Sequence, residues 1–135
     1  MKKRIKLYVL IVSVFSIFAC EKDAGKLPSI SFKTGGSYIS SDVTLDKGSS
    51  LVIGVNASKS EKRDVLKKLN ISRSVNGASS ISLFDKALNS SEEDNLSYDY
   101  SGVLDTIAGQ VSKYIFTVTN RDGLVNQVSL TVTTK

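Results

Sequence analysis

Residues able to do chemistry are few in this chain. Cys20 is the only cysteine, and histidine and tryptophan are both absent. Without histidine, a Ser-His-Asp or Cys-His nucleophile has no base in its usual form. The commonest zinc ligand is missing for the same reason. Carboxylates remain, at Asp85, Glu92, Glu93, Asp94, Asp99 and Asp105. A glycosidase needs two of them facing each other across a scissile bond, and nothing in their spacing arranges that. The run Ser90–Asn95 is rich in oxygen ligands but lacks the D-x-[DN]-x-[DN]-G spacing of a calcium loop. It reads as a solvated loop. Tyr98 and Tyr100 lie two apart, on one face of an expected strand, and are the candidate ligand contacts. A half-buried strand pair with the hydroxyls outward is the plainer account of them. Lys59, Lys62, Arg63, Lys67 and Lys68 cluster around two acids and read as a solvated basic face. No enzyme, no metal site and no cofactor is expected.

Cys20 gains its meaning from what surrounds it. Lys2, Lys3, Arg4 and Lys6 precede the apolar run Leu7–Phe18, and small Ala19 then meets Cys20. Basic, apolar and small-residue segments in that order form a secretory signal. The run is about 12 residues, short of the roughly 20 that a spanning helix needs. Ile17-Phe18-Ala19-Cys20 resembles the lipobox of bacterial lipoproteins, with Ile and Phe as departures of the kind found in the Bacteroidota. The resemblance implies a diacylglycerol on the Cys20 sulfur, cleavage before Cys20, and attachment to the membrane through that lipid. Each buried acyl CH₂ contributes about 0.8 kcal/mol, so two or three chains hold firmly where one does not. An unmodified Cys20 would instead be an unpaired thiol in an oxidising compartment. Glu21-Lys22-Asp23 resembles the Bacteroidota signal that sends lipoproteins to the cell surface. The expected location is therefore the outer membrane, with the cell surface preferred over the periplasmic face. Asp105-Thr106-Ile107 resembles the O-glycosylation motif of the same group, which makes Thr106 a candidate acceptor. The N-x-S sequons at Asn56, Asn70, Asn89 and Asn95 read as composition.

Charge follows the same division. The whole chain carries +5, but four of its 18 basic residues and none of its 13 acidic ones precede Cys20. From Cys20 onward 14 basic residues face 13 acidic ones, a net charge of +1. That leaves no electrostatic footprint for a phosphate backbone, so a nucleic-acid partner is excluded. The expected organisation is a signal peptide at 1–19, a lipidated Cys and flexible tether at 20–28, and one domain at 29–135. At about 3.3 Å per extended residue the tether Glu21–Leu27 reaches roughly 25 Å.

The elements that must position the rest read as β. Pro28 suits the first residue of a strand, where its missing N–H costs little. Ile30 and Phe32, Val43 and Leu45, and Leu51, Ile53, Val55 and Ala57 alternate at period two. Leu69, Ile71 and Val75 do likewise, with Arg73 interrupting the apolar face. Asn76-Gly77 is a hairpin signal, because a type I′ turn needs positive φ at both central residues. Ile81 and Leu83, then Leu96, Tyr98 and Tyr100, follow. Tyr114, Phe116 and Val118, the turn Asn120–Gly123, and Val128, Leu130 and Val132 form a closing hairpin. One stretch is ambiguous. Ser58-Lys59-Ser60-Glu61 matches a capping box, Val65, Leu66 and Leu69 sit at helical spacing, and Asp64 and Lys68 make an i,i+4 pair. A two-turn helix and an irregular loop with β continuation both remain open.

About seven short strands in about 100 residues fit an all-β, immunoglobulin-like β-sandwich. The stretch GQVSKYIFTVTNRDGLVNQVSLTVTT resembles the last two strands of bacterial Ig-like, fibronectin-III-like and PKD-like domains. The resemblance makes Tyr114 a tyrosine-corner candidate. With the lipobox, the whole chain resembles a small Ig-like lipoprotein of Bacteroidota type. The expected function is a lipid-anchored, non-catalytic binding or structural module of the envelope, whose loops at one end of the sandwich contact an unknown protein or glycan partner. The alternative is an accessory carbohydrate-binding lipoprotein of a glycan-uptake system.

Overall fold

A computed structural model describes residues 25–135. The expected signal peptide, Cys20 and the first part of the tether lie outside the described residues. Eight strands, one for each alternating run in the sequence, account for the domain. They are β1 (Ser29–Phe32), β2 (Val43–Leu45), β3 (Ser50–Ser58), β4 (Leu66–Val75), β5 (Ile81–Ala87), β6 (Asn95–Val103), β7 (Val111–Asn120) and β8 (Val125–Thr134). No helix occurs among the described residues.

The strands form two sheets, ordered β1-β3-β6 and β2-β8-β7-β4-β5. Every pairing is antiparallel except β2 with β8. With β3 and β6 in one sheet and β4, β7 and β8 in the other, the chain crosses repeatedly between layers. This is the immunoglobulin-like sandwich. The first part of the chain serves both sheets. After β1, Lys33 N–H donates to Gly54 O and Ile39 N–H to Val52 O, which keeps the chain along β3. It then crosses over, and β2 runs beside the end of β8.

Period-two alternation builds the core. Leu51, Ile53, Val55 and Ala57 of β3 are buried, as are Leu69 and Ile71 of β4, Tyr114, Phe116 and Val118 of β7, and Leu130 and Val132 of β8. Phe32 meets Phe116 edge to face at 5.9 Å, a preferred aromatic geometry. The hairpin signals hold. Asn76 and Gly77 both have positive φ, and Ala78 N–H closes the turn onto Val75 O.

The ambiguous stretch takes the loop-and-strand form. Asp64 N–H donates to Glu61 O in a tight turn, and β4 starts at Leu66. A register shift between Leu66 and Lys68 lets Leu66 and Leu69 share the buried face although they are three apart. A β-bulge puts one extra residue into a strand, and here it reproduces helical spacing in the sequence. Asp64 does not pair with Lys68. It is buried and accepts from Asn120 Nδ2 at 2.6 Å, while Lys68 pairs with Asp85 at 3.1 Å.

Candidate functional site

The outer face of the three-stranded sheet carries the most distinctive arrangement of polar groups. Antiparallel register aligns Ser29, Ser58 and Asn95 in one cross-strand row, and Ser31, Asn56 and Ser97 in the next. These residues alternate with Ile30, Ala57 and Leu96, which are buried, so their side chains stand on the opposite, outer face. Together they line a shallow cavity of about 300 Å³. Among the described residues, none of the six side chains hydrogen-bonds to another protein group, so their hydroxyl and amide groups are left to solvent. None of them is charged.

A third row lies one pleat further on, where Gly54 faces Asp99. Lys33 Nζ donates to Asp99 Oδ1 at 2.6 Å, and Tyr38 Oη donates to Asp99 Oδ2 at 3.0 Å. The Lys33 ammonium lies 5.5 Å from the Tyr38 ring centroid. Gly54 makes room for all three. A Cβ there would come within 2.6 Å of the Lys33 side chain, 2.7 Å of Tyr38 and 2.8 Å of Asp99. The hydrogen bond from Lys33 holds the Asp99 carboxyl below its ordinary range, and the same bond raises Lys33. Sequence reasoning missed this cluster. Its one signal was a glycine inside the strand run Leu51–Val55, the mark of close approach by another group.

The expected contacts Tyr98 and Tyr100 point the other way, since they share the face of Leu96 that turns to the opposite sheet. Tyr98 stacks on Phe84 with centroids 4.9 Å apart. Tyr100 packs against Tyr114 at 5.9 Å and Phe116 at 6.3 Å. Burial, with the neighbouring Tyr114 hydroxyl, raises the Tyr100 pKa. Both rings are committed to inter-sheet packing and form no outward platform. Tyr114 is buried in the same cluster. Its hydroxyl makes no hydrogen bond to the Leu104–Gln110 backbone among the described residues, so it is not a tyrosine corner.

Thr106 lies exposed in the segment between β6 and β7, beside Ile107, which is also exposed. Its neighbour Asp105 is held by Arg73 and Gln110. The acidic loop is neutralised from within. Glu92 pairs with Lys86, Glu93 with Lys67, and Asp94 with Lys59. With Asp85 on Lys68, Asp99 on Lys33 and Asp105 on Arg73, each of the six scattered carboxylates has its own cation. Hydrogen bonds from the Asn70 amide and Lys68 lower the Asp85 pKa, those from Lys86 and the Asn89 N–H lower Glu92, and those from Lys33 and Tyr38 lower Asp99. A general acid in glycoside hydrolysis needs the opposite shift. The same ion pairs break up the expected basic patch by occupying Lys59, Lys67 and Lys68.

The start of the described chain is fastened to the domain. Asn120 Nδ2 donates to Lys26 O, Ser60 Oγ to Leu27 O, and Asn126 Nδ2 to Pro28 O. Gly25 lies against Leu124 and Asp122. The last residues of the expected tether are therefore tied to the turn after β7 and the loop after β3.

No family model matches the chain, and no curated protein does. Among solved structures it is similar to a variant of the superoxide reductase (neelaredoxin) from Ignicoccus hospitalis. The identity is 10%, the TM-score 0.54, and the match covers 87% of this chain and 86% of that one. The superoxide reductase (neelaredoxin) from the same organism gives 8% identity and a TM-score of 0.51 over 82% and 81%. At that identity the likeness concerns the fold alone. Among the described residues no group of three or more His, Cys, Asp or Glu side chains is placed to hold a metal ion.

Proposed function

We propose that the chain is a lipid-anchored, non-catalytic binding or structural module of the cell envelope, held at the outer membrane through Cys20 and displayed on the cell surface. The observation that carries this reading is Cys20 itself, placed where a basic and apolar leader ends. The fastened segment Gly25–Pro28 adds a geometric consequence. Only Glu21–Ala24 separate Cys20 from Gly25, a span of at most roughly 18 Å when extended. The end of the sandwich bearing the Asn120–Gly123 turn then lies next to the lipid. Thr106, the Asn76–Gly77 turn and the Asp46–Gly48 turn lie at the far end. Carboxylates individually paired with cations favour binding over catalysis.

The test is metabolic labelling with a fatty-acid analogue. Wild type should carry label and sediment with membranes, and Cys20→Ala should lose both properties. Protease shaving of intact cells, with a periplasmic protein as control, then reports sidedness. Cleavage of the domain supports surface display. Survival in intact but not in lysed cells places it on the periplasmic face. The second reading, an accessory carbohydrate-binding lipoprotein, is favoured by one feature, the uncharged hydroxyl-and-amide face of the β1-β3-β6 sheet.

A further inference from the structure

We infer that the outer face of the β1-β3-β6 sheet, centred on Asn56 and Ser97, is a binding site for a neutral saccharide chain. The inference rests on the carbohydrate-binding reading and gives it a location different from the loops at the end of the sandwich.

The chemistry of the lining narrows the ligand class. Ser29, Ser31, Ser58, Ser97, Asn56 and Asn95 supply hydroxyls and primary amides. Each such group both donates and accepts a hydrogen bond, as does every hydroxyl of a sugar. An anion gains no ion pair here, because the flanking cations Lys33 and Lys59 already serve Asp99 and Asp94. A cation gains none for the converse reason. Ala57 and Leu96 also reach the floor of the cavity and give a sugar's C–H face some apolar surface. Both side chains belong to the buried core, however, so a purely apolar ligand would leave the six polar groups unsatisfied. A polyhydroxylated neutral ligand is the class that can use every group on the shelf.

The scaffold suits recognition as well. Functional groups carried on paired strands are held more firmly than those on loops, and β3 is hydrogen-bonded on both sides. Strands lie about 4.8 Å apart and same-face residues recur about every 6.8 Å, so the two rows span roughly 10 by 7 Å, the footprint of one or two sugar rings. At the end of this grid stands Tyr38, with its hydroxyl on Asp99 and its ring over Gly54. With Lys33 and Asp99 it closes that end of the two rows.

The experiment is an amide-resolved NMR titration of the full chain in detergent micelles with neutral gluco-, manno- and galacto-oligosaccharides. The expected result with at least one probe is a set of shifts confined to Ser31, Asn56, Ser97 and their cross-strand neighbours. Asn56→Ala should weaken that binding about fivefold, the value of one neutral hydrogen bond. Ser97→Lys, which fills the cavity, should abolish it, and both variants should keep the wild-type spectrum elsewhere. Shifts at Asp46–Ser49, Asn76–Ser80 or Leu104–Gln110 instead would overturn the shelf while leaving a carbohydrate-binding module in place. No shift with any probe at its solubility limit would overturn the shelf and the carbohydrate reading together. Lipid labelling of Cys20 tests the anchor independently of both.

Discussion

The two faces of the β1-β3-β6 sheet are made by the same three strands, yet they differ in almost every physical respect. Inward, Ile53, Val55, Tyr98 and Tyr100 meet the other sheet, and the aromatic rings contact Phe84, Tyr114 and Phe116. Outward, Ser31, Asn56 and Ser97 lie open to solvent. Adjacent residues such as Ser97 and Tyr98 are thus under opposite constraints. The inner face is committed to packing and has no capacity left for a ligand. The outer one contributes little to stability and keeps its hydrogen-bonding groups available.

Replacements on β3 test this division most severely. Ile53→Ala should cost about 3 kcal/mol through lost transfer energy and the cavity left behind, whereas Asn56→Ala should stay within about 0.5 kcal/mol. Chemical denaturation of both variants measures the contrast, and similar costs would break it. A smaller but sharper effect is expected on β6. Tyr98→Ala should lose about 2 kcal/mol with its stacking on Phe84, while Tyr98→Phe should retain most of the stability. If Tyr98→Ala left the denaturation midpoint unchanged but removed ligand binding, the tyrosines would be the site and the assignment of faces would fail.

Gly54→Ala probes the outer face where it is crowded. The new methyl would collide with the Lys33 stem, the Tyr38 ring and the Asp99 carboxylate, three side chains tied together by hydrogen bonds, so a cost of about 2 kcal/mol is expected, within the range for overpacking. The clearer readout is the Asp99 carboxyl, which should titrate closer to its ordinary value once Lys33 and Tyr38 are displaced.

The smallest effect is the pH dependence of the Lys33–Asp99 pair. Asp99 has a lowered pKa, so its contribution is present above the ordinary carboxylate range and is lost as pH falls through the lowered value. Lys33 is raised, so its contribution is present below the ordinary lysine range and is lost as pH rises through the raised value. Asp99 is open to solvent although the Lys33 stem is largely covered, and screening keeps the effect small. In Lys33→Met, NMR titration should show Asp99 protonating at higher pH than in wild type. An unchanged titration would mean that Tyr38 and solvent, not Lys33, set its value.

Much of the sandwich was legible because alternation is local. A strand half in and half out of a core must change character at every residue, and β3, β7 and β8 largely do so. Asn76-Gly77 was legible because few residue pairs accept two positive φ values. Leu66–Leu69 was not, since a bulge and a helical turn both bring residues three apart onto one face. Asp64 illustrates the same limit. Its spacing from Lys68 fits a helix, but its actual partner Asn120 is far away in sequence.

By itself, the sequence determined the all-β class, the positions of most strands and turns, and the chemical singularity of Cys20. Each of these depends on residues close together along the chain. Tertiary structure alone decided that Tyr98 and Tyr100 face inward. It alone brought Lys33, Tyr38 and Asp99 together over Gly54, and it alone aligned Ser31, Asn56 and Ser97 across three strands. Alternation shows that two faces differ, but only register and sheet packing determine which side chains become neighbours and which face water.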